Sequence, residues 1–223
     1  TAIVDQGLDC NISIKPTHIG LDIHYDTARD NLLSLLETAS KTNNFVRIDM
    51  ENSHYTDASI KLYLEALINY QNVGPVIQAY LRRSQDDISR LNGTLLNARI
   101  CKGIYLEPDA IALQKKAEIN EQFVKLVKTI LNGGGYVGIA THDLALINEL
   151  ENWIIENKIA LDRFEFQVLY GVPMGGKLEE LLSKGYKVRK YVPFGEKWFD
   201  YSVRRLKENP KIITYVIKNL FKK

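Results

Sequence analysis

Strand signals alternating with helix signals predict an α/β protein built on a parallel sheet, with a (β/α)8-type barrel favoured over an open sheet. Three observations carry this. Short β-rich runs recur at 12–15, 45–50, 76–80, 98–102, 136–140, 164–170 and 188–192. Segments of helical periodicity lie between them. Polar residues crowd the end of almost every run, as in a barrel, whose site is assembled from many strand ends at once. An open doubly wound sheet shares the alternation but concentrates its site at one switch point. No G-x-G-x-x-G and no P-loop marks such a point.

Taken in order, residues 1–9 read as the end of a helix leading into the first run. The runs read as near-continuously apolar, as expected of strands buried on both faces. The segment 57–70 places Ile60, Tyr63, Leu64 and Leu67 on one helical face. Ser84, with Asp87 three residues on, resembles a capping box ahead of Ile88 and Leu91. A helix over 108–132 has Pro108 in its first turn and Gly133 as its stop. Gly133, Gly134 and Gly135 precede a strand, so they read as a turn and not as a phosphate cradle. Asp143 can cap 144–157, and Gly185 can terminate 177–184. A late helix is expected over 197–208. The pattern reads as one barrel domain over 1–223 with seven strands, so the sheet is incomplete or its first strand lies upstream.

The composition is ordinary for a globular protein: 223 residues, 45% hydrophobic and 25% charged. That excludes disordered, collagen-like and low-complexity classes. No apolar run approaches the roughly eighteen residues of a membrane-spanning helix. No basic-then-apolar secretory signal opens the chain. Cys10 and Cys101 cannot make a disulfide scaffold, and their apolar neighbours read them as small buried hydrophobes. A reducing cytoplasm fits. The net charge of +2 is uneven: residues 184–223 hold twelve Lys or Arg against three acids. Such a segment suits an anionic ligand, nucleic acid, an anionic membrane surface, or simply a solvated helix.

The strand-end polar residues are Lys15, Asp49, Glu51, Gln78, Tyr80, Arg99, Lys102, Thr141, His142, Gln167, Tyr170 and Tyr191. Each has a plain structural reading. Asp49 is a loop-start carboxylate. Arg99 lies inside an apolar strand and therefore needs a partner, because an unpaired buried charge is expensive. Gln78, Thr141, His142 and Gln167 satisfy loops or caps. Tyr105 is an aromatic loop residue, and Arg204 and Arg205 lie adjacent on a helix. His18, His24, His54 and His142 form no metal-ligand spacing, so no metal site is expected.

These residues sit in motifs that carry a resemblance. Phe45-Val46-Arg47-Ile48-Asp49-Met50-Glu51, Tyr55-Thr56-Asp57 and Gln78-Ala79-Tyr80-Leu81-Arg82-Arg83-Ser84 come first. Arg99-Ile100-Cys101-Lys102-Gly103-Ile104-Tyr105-Leu106-Glu107-Pro108 and Ala140-Thr141-His142-Asp143 follow. Phe164-Glu165-Phe166-Gln167-Val168-Leu169-Tyr170-Gly171, Tyr191-Val192-Pro193-Phe194-Gly195 and Arg204-Arg205-Leu206-Lys207-Glu208 complete the set. Together they resemble proline dehydrogenase, in its single-function bacterial form and as a domain of the bifunctional proline utilisation enzyme. The match runs in order over residues 11–210.

The resemblance implies a distorted (β/α)8 TIM-type barrel that binds FAD. Its first strand would lie upstream of Thr1, and the 197–208 helix over the barrel mouth. The implied reaction is oxidation of L-proline to Δ1-pyrroline-5-carboxylate by hydride transfer to the flavin N5. The electrons would pass to a membrane quinone, which implies peripheral contact at the inner face of the cell membrane. Arg204, Arg205 and Lys15 would clamp the proline carboxylate. Tyr105, Leu169 and Tyr191 would wall the substrate ring, with Asp49 holding the pocket's shape. Arg99, Lys102 and Asp49 form the catalytic set. Gln78, Arg99, Lys102, Thr141, His142, Gln167 and Glu208 would contact FAD. Glu51 is a weaker candidate.

Two other classes share these features. A barrel lyase or aldolase would use Lys102 as a Schiff base. A non-catalytic basic chain would bind nucleic acid, stacking bases on Tyr191, Phe194, Trp198, Phe199 and Tyr201. Phe194 and Trp198 lie four apart and more simply pack on the barrel, so nucleic acid is not the expected partner.

Overall fold

The strands alternate in character and are not uniformly apolar, and that alternation shapes the molecule. The computed structural model describes residues 2–92 and 96–195. It holds seven strands: β1 (Ile12–Ile14), β2 (Val46–Ile48), β3 (Val73–Gln78), β4 (Asn97–Cys101), β5 (Tyr136–Ala140), β6 (Phe164–Leu169) and β7 (Val188–Tyr191). Each pairs in parallel with the next, so spatial order follows chain order. One face carries Val46, Ile48, Ile77, Ala98, Ile100, Val137, Ile139, Phe164, Phe166 and Val168, all buried in the main core. Apart from Val76, the registers Ser13↔Arg47↔Gly74 and Val76↔Arg99↔Gly138↔Glu165 place small, polar and charged residues on the other. This corrects the expectation of continuous apolar runs. Only the helix-covered face of the sheet needs hydrocarbon.

Hydrogen bonds across non-adjacent strands show the curvature. Arg99 on β4 reaches Ser13 on β1, with Nη2 donating to Oγ at 3.0 Å. Tyr191 on β7 reaches Asp49, just past β2, at 2.9 Å. In a flat sheet, strands spaced about 4.8 Å apart would put β4 about 14 Å from β1. The sheet is therefore curled into a barrel wall with the polar face inside. Among the described residues no ladder joins β7 to β1.

Helices cover the outside. They are α1 (Ala2–Asp5), α2 (Tyr25–Lys41), α3 (Thr56–Leu67), α4 (Ser84–Leu91), α5 (Lys116–Asn132), α6 (Leu144–Glu156) and α7 (Lys177–Ser183). α2 is an addition to the periodicity reading. Its buried stripe is Ala28, Leu32, Leu36 and Ala39, and His24 caps it by accepting from the Asp26 amide. In α3 the buried face is Ser59, Ile60, Leu62, Tyr63 and Ala66, whereas Leu64 is exposed.

The capping box at Ser84 does not form. Its hydroxyl donates to the Gln78 carbonyl at 2.6 Å, while Asp87 accepts from Arg83 and Arg90. α5 starts at Lys116, because 108–115 is held as a loop. Leu113 N donates to Tyr80 O at 2.7 Å, and Arg82 N to Ile111 O at 3.0 Å. Asp143 does cap α6, accepting from the Ala145 amide at 3.2 Å.

The late helix over 197–208 lies outside the described residues, with Arg204, Arg205, Glu208 and Trp198. Two smaller expectations fail. Cys10 is exposed and Cys101 only half-buried, so neither is a fully buried hydrophobe. Phe194 stands clear of the barrel, fully exposed. No described helix is long and apolar enough to cross a membrane.

Two inward positions are glycine because their neighbours are large. A Cβ on Gly74 would lie 2.0 Å from the Asn97 carbonyl oxygen and 2.4 Å from Arg47 Nη1. Backbone cannot yield as a flexible side chain can. Gly74→Ala is therefore expected to destabilise the protein by about 3 kcal/mol or more. A denaturation midpoint within error of the wild type would show that the two strands separate freely here.

Candidate active site

The inner face is organised around Arg99, which is 7% exposed. A buried guanidinium is tolerable only when its charge and donors are met. Nη1 donates to Asp49 Oδ1 at 2.8 Å, Nε to Gln167 Oε1 at 2.5 Å, and Nη2 to Ser13 Oγ at 3.0 Å. The partners come from the ends of β2 and β6 and from the middle of β1, so the curl of the sheet assembles them. The other Asp49 oxygen accepts from Tyr191, whose ring stands 5.2 Å from the Arg99 guanidinium carbon. Behind Gln167, its amide nitrogen donates to Glu165 at 2.6 Å, and Arg189 clamps the same carboxylate at 2.9 and 3.0 Å. Burial pushes the Glu165 carboxyl up. Its hydrogen bonds and nearby cations, Arg189 first, more than offset this and hold it below the usual carboxylate range.

One strand layer lower lies Arg47, 1% exposed and without a carboxylate partner among the described residues. It donates to the carbonyls of Asn97 and Pro75 and to the Asn97 side chain. Burial, reinforced by the like charge of Arg99, pulls its pKa down to about 9.

A second cluster forms at the ends of β4 and β5. Lys102 Nζ donates to Asp143 Oδ2 at 2.8 Å, and Lys116 stands 3.7 Å from the same oxygen. The Lys102 hydrogen bond, against the opposing effect of burial, holds the Asp143 carboxyl below its ordinary value. Thr141 Oγ1 accepts from the Asp143 amide at 3.1 Å. His142 Nε2 accepts from the Leu169 amide at 2.9 Å, tying the β5 and β6 loops together. Gln78, at the end of β3, is 3% exposed, and its side-chain oxygen has no partner among the described residues. Lys15 follows β1 half-buried and makes no ion pair among the described residues. Tyr105 is half-buried beyond β4. No His/Cys/Asp/Glu group among the described residues could hold a metal ion.

A family model described as proline dehydrogenase matches residues 4–216. The chain belongs to the proline dehydrogenase family. It is 37% identical over 221 residues to Proline dehydrogenase 2 of Bacillus subtilis (strain 168), covering 99% of this chain and 73% of the relative. It is 32% identical over 221 residues to Proline dehydrogenase of Deinococcus radiodurans, covering 97% of this chain and 71% of the relative. Among solved structures it resembles proline utilization A from Bdellovibrio bacteriovorus, inactivated by N-propargylglycine. The TM-score is 0.79 at 25% identity, covering 89% of this chain and 24% of that one. A variant of Bradyrhizobium japonicum proline utilization A gives a TM-score of 0.74 at 24% identity, over 90% of this chain and 24% of that one. The chain thus spans about a quarter of those solved proteins. The curled seven-stranded sheet is that of a distorted TIM-type barrel.

Within this proline dehydrogenase family member, the structure brings Asp49, Arg99, Gln167 and Tyr191 into one network. Lys102, Thr141 and His142 gather around Asp143 and Leu169. Lys15 and Gln78 stand at the ends of β1 and β3 without joining either network. Glu51 turns away and accepts from Thr17 at 3.0 and 2.8 Å, fastening the loop after β1. Arg204, Arg205 and Glu208 lie outside the described residues. The sequence reading missed Ser13, Glu165 and Arg189, and saw Asp143 only as a cap. The alternation Phe164-Glu165-Phe166-Gln167 could have found Glu165, since it puts both polar residues on one strand face.

Two outcomes test these contacts. Asp49→Ala leaves Arg99 buried without a carboxylate and is expected to cost about 3–5 kcal/mol in folding stability. Equal denaturation curves would refute that pairing. For Lys102–Asp143 the sign follows from the depressed carboxyl. Its contribution is full above the unfolded-state value, about 3.9, and fades as pH falls through the lower folded-state value. The stability gap between wild type and Lys102→Met should therefore be constant near neutrality and shrink below about pH 4. A gap that widens in acid would contradict the pairing.

Proposed function

We propose that the chain oxidises L-proline to Δ1-pyrroline-5-carboxylate with bound FAD, as the first step of proline catabolism, and passes the electrons to a membrane quinone. The observation that carries this reading is the Arg99 network at the strand ends. A buried cation there is held in fixed orientation by Asp49, Gln167 and Ser13. Residue types also fit the cofactor. The buried Gln78 oxygen lacks a partner, as an acceptor reserved for a ligand N–H would. On this reading Gln78, Arg99, Lys102, Thr141, His142, Gln167 and Glu208 hold FAD. Once bound, FAD supplies the hydride acceptor at N5, next to which a fixed positive charge favours the reduced form.

The chain's own residues then do the positioning. Lys15, with Arg204 and Arg205, binds the substrate carboxylate, where guanidinium forks match its two oxygens. Tyr191, Leu169 and Tyr105 wall the ring and exclude water from it. Asp49 anchors both Arg99 and Tyr191, so one carboxylate ties cofactor side to substrate side. The amine must lose its proton for its lone pair to assist, and water can accept it. The basic stretch in 184–223 suits an anionic membrane surface, in keeping with a peripheral protein at the inner face of the cell membrane. The lyase reading is weakened by Lys102. Its Nζ is already engaged by Asp143 at 2.8 Å, whereas a Schiff-base nucleophile must be free to reach a carbonyl.

Purified protein should show a flavin spectrum that bleaches on adding proline, and acid denaturation should release the flavin. A protein without flavin, or with flavin retained in the precipitate, would contradict non-covalent FAD. Arg204→Met and Arg205→Met should each weaken binding of a proline analogue by roughly 30-fold or more. Unchanged affinity would remove the carboxylate clamp. Proline should be preferred over 4-hydroxyproline by up to about 10²-fold, and Tyr191→Ser should narrow that ratio. An unchanged ratio of specificity constants would shift the ring wall to Tyr105 or Leu169.

A further inference from the structure

We propose that Glu165 is a positioning residue for the reaction: it fixes the amide of Gln167 so that the oxygen faces Arg99. This rests on the reading above that Arg99 serves the bound cofactor. The logic is one of donors and acceptors. Arg99 Nε–H can only donate. An ionised Glu165 can only accept. Gln167 lies between them, at 2.5 Å from the first and 2.6 Å from the second. Only one amide orientation satisfies both. The flipped amide would set NH2 against Nε–H and oxygen against carboxylate.

Burial makes that choice decisive. Glu165 is 2% exposed and Gln167 3%, so water cannot repair a wrong orientation. Arg189 binds both Glu165 oxygens, which keeps the carboxylate in place and ionised. Gly138 leaves the room, since a Cβ there would lie 2.4 Å from the Gln167 amide nitrogen. A relay thus runs from Arg189 through Glu165 and Gln167 to Arg99. It orders the guanidinium from the barrel interior, while Asp49 and Ser13 hold its other nitrogens. Glu165 itself makes no hydrogen bond to Arg99 and acts only through Gln167.

The test is a swap. Glu165→Gln alone removes the fixed acceptor, so the amide of Gln167 loses its preferred orientation. Gln167→Glu alone sets two carboxylates side by side. The double variant Glu165→Gln, Gln167→Glu restores the pattern in reverse. The amide at 165 donates to the carboxylate at 167, which still accepts from Arg99. Each single variant is expected to lower kcat for proline about tenfold or more, with KM changed less than about threefold. The double variant should lose far less than the two single losses combined, a coupling in the range known for contacting residues. Additive losses would overturn the proposal.

The same cycle read as the Tm of the ligand-free protein needs no catalysis, so a failure of the proline reading leaves it standing. Side-chain amide NMR of the ligand-free wild type should show slowly exchanging Gln167 Nε2 protons, and Glu165→Gln should abolish that protection. Freely exchanging protons in the wild type would overturn the proposal. If the single variants do not fold, the double variant should. Its failure to fold would overturn the proposal as well.

Discussion

A buried positive charge inside a curled sheet is the constraint on which the rest depends. Taking a guanidinium out of water costs several kcal/mol even after relaxation, and only a carboxylate with well-placed acceptors offsets it. Arg99 obtains these from three separate strand regions. None is its neighbour in sequence. The sheet must curl for them to meet, and the helix-covered outer face supplies the hydrophobic drive that holds the curl. Fold and site are therefore one problem: the contact that neutralises Arg99 also fixes the distance between β1, β2, β4 and β6.

Arg47 shows the same constraint met differently. It has no carboxylate partner among the described residues, only carbonyl and amide oxygens. Those meet its Nη1 and Nη2 donors but leave Nε without a partner among the described residues and the charge unpaired, and its pKa falls to about 9 while the group stays protonated at neutral pH. The aromatic ring of Phe45, 4.7 Å from the guanidinium carbon, supplies a further weak attraction. The inner face thus carries a paired cation at the mouth and a carbonyl-solvated cation beneath it. The glycines opposite them are the space those side chains require.

The outer helices are conventional by comparison. Buried leucines, isoleucines and phenylalanines pack them to the sheet, and ion pairs decorate the surface. One set is more than decoration. Glu151, buried in α6, accepts from Lys177 and Lys184 at the two ends of α7, at 2.9 and 2.6 Å. It locks α6 to α7 beside the strands that carry Gln167 and Tyr191.

What the sequence by itself determined was periodic or local. Apolar spacing placed the seven strands and most helices, Asp143 announced its cap, and strand-end polar residues in order pointed to the barrel and the family. Each of these signals sits within a few residues of its cause. Tertiary structure alone decided the partnerships. Arg99 visibly needed a carboxylate, but nothing local singled out Asp49, fifty residues away, over Glu51. Both carboxylates lie just past β2, and only the folded chain turns Asp49 toward Arg99 and Glu51 toward Thr17. Ser13, Glu165 and Arg189 entered the site for the same reason. A side chain's partner is set by the curvature of the sheet between them, and curvature is a property of all the strands together.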